Sequence, residues 1–342
     1  MEMYIKPFIV AVLISLITTP LVKKIAMKVG AIDIPKDERR VHKEPMPLMG
    51  GLAIYFGVVI SSLIFLPMEN TLVSILLGAT IILVSGIIDD IKGLSPKLKL
   101  LFQLIAGVML IIGDVKVDFV TNPFSQDYVL LYLKWLSIPI TLFWIVGITN
   151  TVNLIDGLDG LACGVAMISS VSLMLVAEKF DQVNVTILSA VVAGACLGFL
   201  PYNFNPAKIF MGDTGALLLG FMLAAISIEG VMKSVATIAV VVPILILGVP
   251  IFDTTFAIFR RLLSGQSIAT ADKGHLHHRI LDKGFSQKQT VLILYVLSAV
   301  FGIFAVIVAK ANSKQAVYLS VLLFLAAILF AFKLGMFTNK KK

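Results

Sequence analysis

The feature that most constrains this chain is a succession of long apolar stretches separated by short polar breaks. A hydrocarbon core about 30 Å thick needs about 20 mostly apolar residues as a helix, which satisfies its own backbone polar groups. Eleven stretches fit, at 4–22, 48–66, 71–88, 98–113, 129–149, 157–177, 183–200, 214–228, 234–252, 289–309 and 315–334. The expected fold class is an all-α polytopic membrane protein with about 11 transmembrane helices. With 58% hydrophobic and only 14% charged residues, the chain carries more apolar surface than a water-soluble domain could bury. The first stretch is expected to be a retained span, because Lys23 and Lys24 follow it without a small-residue cleavage site.

Charge orients these spans. With the N-terminus outside, 21 of the 28 Lys and Arg residues fall on inner segments. The outer ones are Lys6, Lys116, Lys134, Lys179, Lys233, Lys310 and Lys314. Basic residues concentrate on cytoplasmic loops, so the N-terminus is expected outside and the C-terminus in the cytoplasm. The whole chain, 1–342, reads as one membrane domain with cytoplasmic active-site loops at 23–47, 89–97, 150–156, 201–213 and 253–288. The net charge of +8 has no separate basic domain behind it, so no nucleic-acid partner is expected. Cys163 and Cys196 lie in apolar stretches and have neither zinc-site spacing nor the number for a disulfide framework.

Function is constrained by where the polar residues are missing. The spans hold almost no ionisable side chain at mid-depth, where ion-coupled transporters place theirs. All four histidines and every Asp-rich motif instead fall on inner segments or inner span ends. This asymmetry points to a reaction site at the cytoplasmic boundary rather than a pore. An intramembrane aspartyl protease would need a facing Asp pair within the bilayer, which is not the pattern here.

Five motifs carry the chemistry. Asp89 and Asp90 end the third span as adjacent carboxylates, which repel unless a cation or donor sits between them. They also oppose the macrodipole of the helix C-terminus, so a mere stop signal explains them poorly. Asn150, Asn153, Asp156 and Asp159 recur every third residue and can form one polar ridge, although Asn and Asp also serve as caps and turn residues. Asp213, within Phe210-Met211-Gly212-Asp213-Thr214, opens the eighth span. It suits either a helix cap or a magnesium ligand, since magnesium favours one or two carboxylates plus phosphate oxygens and water. His275, His277, His278 and Arg279 lie in the long inner segment. Without cysteines nearby they suit a diphosphate better than zinc. The basic stretch from Arg39 to Lys43 enters the second span and is drawn to anionic lipid in any case; Lys43 is its candidate substrate contact. Lys97 and Lys99 are ambiguous for the same electrostatic reason.

In this order, the motifs closely resemble the polyprenyl-phosphate N-acetylhexosamine-1-phosphate transferase family over nearly the whole chain. The resemblance implies a catalytic centre at Asp89 and Asp90, and magnesium at Asp213, with manganese as a substitute. It implies nucleotide contacts from Asn153, Asp156 and Asp159, and uracil stacking on Phe210. It also sets His275, His277 and His278 over the diphosphate. The branch that makes phospho-N-acetylmuramoyl-pentapeptide lipid carries three consecutive histidines followed by Phe-Glu. Here the segment reads His-Leu-His-His-Arg, which favours the branch using UDP-N-acetylglucosamine. The implied partners are a UDP-N-acetylhexosamine, a polyprenyl phosphate and membrane lipid, with a homodimer allowed. The implied location is a bacterial plasma membrane, with the active site cytoplasmic. CDP-alcohol phosphotransferases share an Asp-Gly step, but Asp159-Gly160-Leu161-Ala162-Cys163 does not continue as theirs does.

A lipid phosphate monoester has a second pKa near 6 and is mostly dianionic at neutral pH. Direct in-line attack on the sugar-bearing phosphorus, with UMP leaving, is therefore expected ahead of an aspartyl-phosphate intermediate.

Overall fold

The computed structural model describes residues 2–34, 45–121, 130–233, 240–263, 265, 274–311 and 313–333. The described chain is a helical bundle: α1 (Glu2–Val29), α2 (Gly51–Phe65), α3 (Asn70–Lys92), α4 (Pro96–Ile112), α5 (Ser137–Leu154), α6 (Leu161–Lys179) and α7 (Val183–Asn203) come first. They are followed by α8 (Gly212–Ser227), α9 (Val241–Ile246), α10 (Gly248–Leu263), α11 (Leu276–Asp282), α12 (Gln287–Lys310) and α13 (Ser313–Lys333). Two small antiparallel hairpins, Ile32–Asp33 with Met46–Pro47 and Phe119–Thr121 with Leu130–Tyr132, cap opposite ends. Among the described residues, seven helices are long and apolar enough to cross a membrane.

The bundle is built around α8. Every residue from Thr214 to Ser227 is buried, and a π-helical turn, Ile228–Met232, continues the helix. Helices in lipid gain little from excluding water from one another, so close packing by small residues has to hold them. Gly86 of α3 illustrates this, since a Cβ there would meet the backbone of Asp213 and Thr214. That contact brings the end of α3 against the start of α8.

Several helix ends differ from the hydropathy boundaries because propensity and capping, not apolarity, set where a helix stops. α1 runs on through Lys23 and Lys24. α3 carries both Asp89 and Asp90 and stops at Gly93, whose φ of 74° is costly for other residues. Ser95 then caps α4, accepting the Leu98 N–H, with Pro96 in the first turn. The span expected at 234–252 is interrupted: 234–239 lie outside the described residues, α9 ends at Ile246, and α10 continues to Leu263. Pro250 lacks the N–H that would have bonded the Ile246 carbonyl, so the break falls there. The inner segment expected at 253–288 is therefore partly helical, from α10 and α11.

Candidate active site

A cavity of about 490 Å³ opens at one end of the bundle, where α3, α5 and α7 finish and α8 and α12 begin. Its wall includes Asp89, Asp90, Asn153, Asp156, Asp159, Phe210, Asp213 and His278, so most of the residues singled out in the sequence converge on one space. A backbone clasp holds Phe210 and Met211, which line the cavity. The Phe210 N–H donates to the Pro47 carbonyl, while the Gly50 and Gly51 N–H groups donate to the Phe210 and Met211 carbonyls. These bonds tie the entrance of α2 to the segment that carries Phe210 and Asp213.

Asp90 caps α8 from another helix. Its Oδ1 accepts the Asp213 N–H at 2.9 Å, and its Oδ2 accepts the Thr214 N–H at 3.3 Å and the Thr214 hydroxyl at 2.6 Å. Four N–H groups at a helix start have no intrahelical partner, and an anion there is favoured by the helix dipole. Gly212, at φ 68°, makes this fit, because a Cβ there would run into the Asp90 carboxylate. Both oxygens of Asp90 are thus committed to orienting Asp213.

Asp89 and Asp213 share a cation. Lys99, in the first turn of α4, reaches Asp89 Oδ2 at 2.8 Å and also Asp213 Oδ2. Asp89 Oδ1 accepts the Leu94 N–H at 2.6 Å, and Asp213 Oδ1 accepts from Asn153 Nδ2 at 3.2 Å. Ligand oxygens of Asp89, Asp90 and Asp213 all lie within 4.8 Å of one another. Three carboxylates this close strongly oppose joint ionisation unless cations offset them, and one ammonium offsets only part. The donor set is all oxygen and suits a hard divalent cation. Asp213 and Asp89 are the residues placed to hold one.

The ridge expected from Asn150 to Asp159 divides, because α5 extends to Leu154 and then turns. Asn150 faces α4 and exchanges amide hydrogen bonds with Gln103 at 2.7 and 3.2 Å. Asn153 reaches Asp213, Asp156 lines the cavity, and Asp159 Oδ2 accepts from Asn205 Nδ2 at 3.0 Å and the Ala207 N–H at 3.1 Å. Burial, and then the charges of Asp213, Asp90 and Asp159, push the Asp156 carboxyl up to about 8. It holds its proton at neutral pH unless a cation approaches.

The histidines form a row, of which only His278 lines the cavity. The His277 ring is 4.2 Å from that of His278 and 5.9 Å from that of His275, nearly parallel to the latter. Burial, and next the neighbouring His278, push the His277 imidazole down to about 3, so it stacks as a neutral ring at physiological pH. Arg279 is buried, its Nε donating to the Gly274 carbonyl at 3.1 Å. Lys43 lies outside the described residues.

Lys99 was indistinguishable from Lys97 in sequence. Positions two apart on a helix point about 200° apart, so only one could face the acids. Asp33, Asn203 and Gln287 also line the cavity and carried no motif signal. Asp253, buried in α10, pairs with His275 and likewise belongs to no sequence motif.

A model of glycosyl transferase family 4 matches residues 72–231, which include Asp89, Asp90, Asn153, Asp156, Phe210 and Asp213. A Bacillus subtilis (strain 168) protein described as a probable undecaprenyl-phosphate N-acetylglucosaminyl 1-phosphate transferase is 45% identical, over 98% of this chain and 93% of its own length. The chain belongs to the polyprenyl-phosphate N-acetylhexosamine-1-phosphate transferase family. Family similarity extends to the decaprenyl-phosphate N-acetylglucosaminephosphotransferase of Mycobacterium tuberculosis (strain ATCC 25618 / H37Rv), 34% identical over 84% of this chain and 78% of that one. The phospho-N-acetylmuramoyl-pentapeptide-transferase of Halalkalibacterium halodurans is 33% identical over 87% of this chain and 94% of its own. The carboxylate cavity is therefore the candidate site of a glycosyl-1-phosphate transferase.

Proposed function

We propose that the chain transfers N-acetylglucosamine-1-phosphate from UDP-N-acetylglucosamine to undecaprenyl phosphate or a related polyprenyl phosphate, releasing UMP. The observation that carries this reading is the convergence of Asp89, Asp90 and Asp213 on one cavity, with Lys99 paired to two of them, in a chain similar along its length to such enzymes. The His-Leu-His-His-Arg segment supports the N-acetylglucosamine branch.

Donor diphosphate and acceptor phosphate are both anionic and repel until cations hold them together. Magnesium, held by Asp213 and Asp89, would supply charge neutralisation and polarise a phosphoryl oxygen. Lys99 supplies a fixed positive charge beside those carboxylates. Asp90 holds the start of α8, and Asn153 fixes the free oxygen of Asp213. Phe210, Asn153, Asp156 and Asp159 are the proposed nucleotide wall, and His278 the proposed diphosphate contact. An oxygen of the lipid phosphate attacks the sugar-bearing phosphorus, and the bond to the uridylyl phosphate oxygen breaks. One phosphoanhydride replaces another, with no net proton transfer. Asp89 orients rather than attacks, since the lipid phosphate, mostly a dianion at neutral pH, is itself a competent nucleophile.

The same reading makes the chain one transferase unit with eleven crossings of a bacterial plasma membrane. The N-terminus is outside and the cavity faces the cytoplasm, where UDP-sugars are made. The skew of 21 inner to seven outer basic residues supports this orientation. Incubating purified protein with magnesium, undecaprenyl phosphate and a panel of UDP-sugars tests the reaction. A polyprenyl-diphosphate N-acetylglucosamine, identified by mass, is expected; a product from another sugar alone would overturn the specificity.

A further inference from the structure

The row of histidines is anchored at its far end from the cavity. Asp253, only 1% exposed, sits in α10 among Ile155, Leu161, Val249 and Leu294. A carboxylate in such surroundings is costly unless both oxygens find donors. They do: His275 Nδ1 lies 2.8 Å from Oδ2, and the Leu276 N–H donates to Oδ1 at 2.6 Å. The Leu276 N–H is one of the groups at the start of α11 that has no partner within its own helix. A carboxylate that accepts from the ring also fixes Nδ1 as the protonated nitrogen. From that anchor the rings follow in order, His275 beside His277 and His277 beside His278, which lines the cavity. The edge of His277 fills the space a side chain at Gly157 would need, so the row is braced between α10 and the turn that carries Asp156.

We propose that Asp253 is a positioning residue of the transfer site: it clamps His275 and the start of α11, and so sets where His278 meets the substrate. His275 then serves as the other half of the clamp rather than as a substrate contact. The inference rests on the transferase reading for its kinetic effect, although the clamp itself does not.

The test uses the full chain in lipid nanodiscs, with UDP-N-acetylglucosamine, undecaprenyl phosphate and magnesium. Asp253→Asn should stay folded and lower kcat/KM by about ten- to a hundredfold, the range seen when groups that orient a contact are lost. In a His278→Ala background the same change should cost less than about twofold, because the residue it positions is gone. His275→Ala should match Asp253→Asn, whereas His275→Asn should recover most of the loss, since the Asn Nδ2 can stand where Nδ1 donated. An undiminished cost of Asp253→Asn in the His278→Ala background would overturn the proposal. So would a His275→Asn variant as impaired as His275→Ala, and this pair carries the test if Asp253→Asn does not fold. Nitrogen-15 NMR of labelled imidazoles needs no substrate. A protected Nδ1–H signal from His275 that vanishes in Asp253→Asn supports the clamp, and its absence in the wild type overturns it. Wild-type protein with that signal but no turnover would sink the transferase reading and leave the clamp standing.

Discussion

Two cavities of similar size lie at the two ends of α8, about 490 Å³ beside Asp213 and about 390 Å³ beside Glu229. Both are lined by three or more acidic side chains, yet they hold them differently. At the first, Lys99 bridges Asp89 and Asp213, Asp90 caps a helix 123 residues further on, and Asn153 reaches Asp213 across 60 residues. At the second, Glu69 and Asp181 are exposed, and Glu229 pairs with Lys233 one turn along its own helix. The nearby Lys116 pairs with Asp114 and Asp118, its neighbours in sequence, and among the described residues the one ion pair there that joins distant segments is Lys233 with Asp114, at 3.8 Å. Local pairs keep charges comfortable at a surface. Charges gathered from α3, α4 and α8 onto one point, with the Asn153 amide of α5 beside them, bear an ordering cost that a bound anion and cation can offset. Cavity volume does not separate the two ends; the convergence of fixed charge does.

The difference can be broken most forcefully at Asp213. Asp213→Asn should lower turnover by roughly a thousandfold or more, the scale of about 4 kcal/mol of lost transition-state stabilisation, while the purified protein stays folded. Glu229→Gln, the matching change at the other end, should leave turnover within about twofold. Equal effects in a lipid-product assay would erase the distinction between the ends.

Lys99→Met should follow, lowering kcat by about a hundredfold, because the carboxylates of Asp89 and Asp213 lose the cation between them. Lys97→Met, on the opposite face of the same turn, should change it by less than about threefold.

A smaller effect concerns stability. In metal-free protein the folded chain keeps the Asp156 proton up to about pH 8. The unfolded chain loses it near pH 4, so the folded state binds more protons between those values and stability falls as pH rises through them. Unfolding temperature measured from pH 5 to 8 should therefore drop less in Asp156→Asn than in the wild type. A parallel decline would show that Asp156 titrates as it does in the unfolded chain. The smallest effect is expected at Lys116→Ala, which breaks a pair to the exposed Asp114 and should leave turnover within about twofold.

How much of this was legible in the sequence follows the range of the interactions. Apolar stretches announce helices because the bilayer imposes length and composition, so most span positions correspond to the observed helices. The acidic motifs were legible because adjacent or regularly spaced carboxylates are costly without a purpose. Partners supplied by tertiary structure were not. Asn150 and Asn153 read alike, yet one turns to Gln103 and the other to Asp213. Asp253 sat beyond an expected span, but α10 continues through it and buries it against His275. The pairing of Ile32–Asp33 with Met46–Pro47 depends on two-residue strands too short to leave a periodic trace.

The most direct test of the cavity as a site of direct transfer is rapid-quench measurement of UMP in rigorously delipidated protein given UDP-N-acetylglucosamine and magnesium. No stoichiometric UMP should appear until undecaprenyl phosphate is added, and then one UMP should form for each lipid-linked sugar phosphate. A burst of about one UMP per site without lipid, absent from Asp89→Asn, would contradict direct attack and make Asp89 the nucleophile.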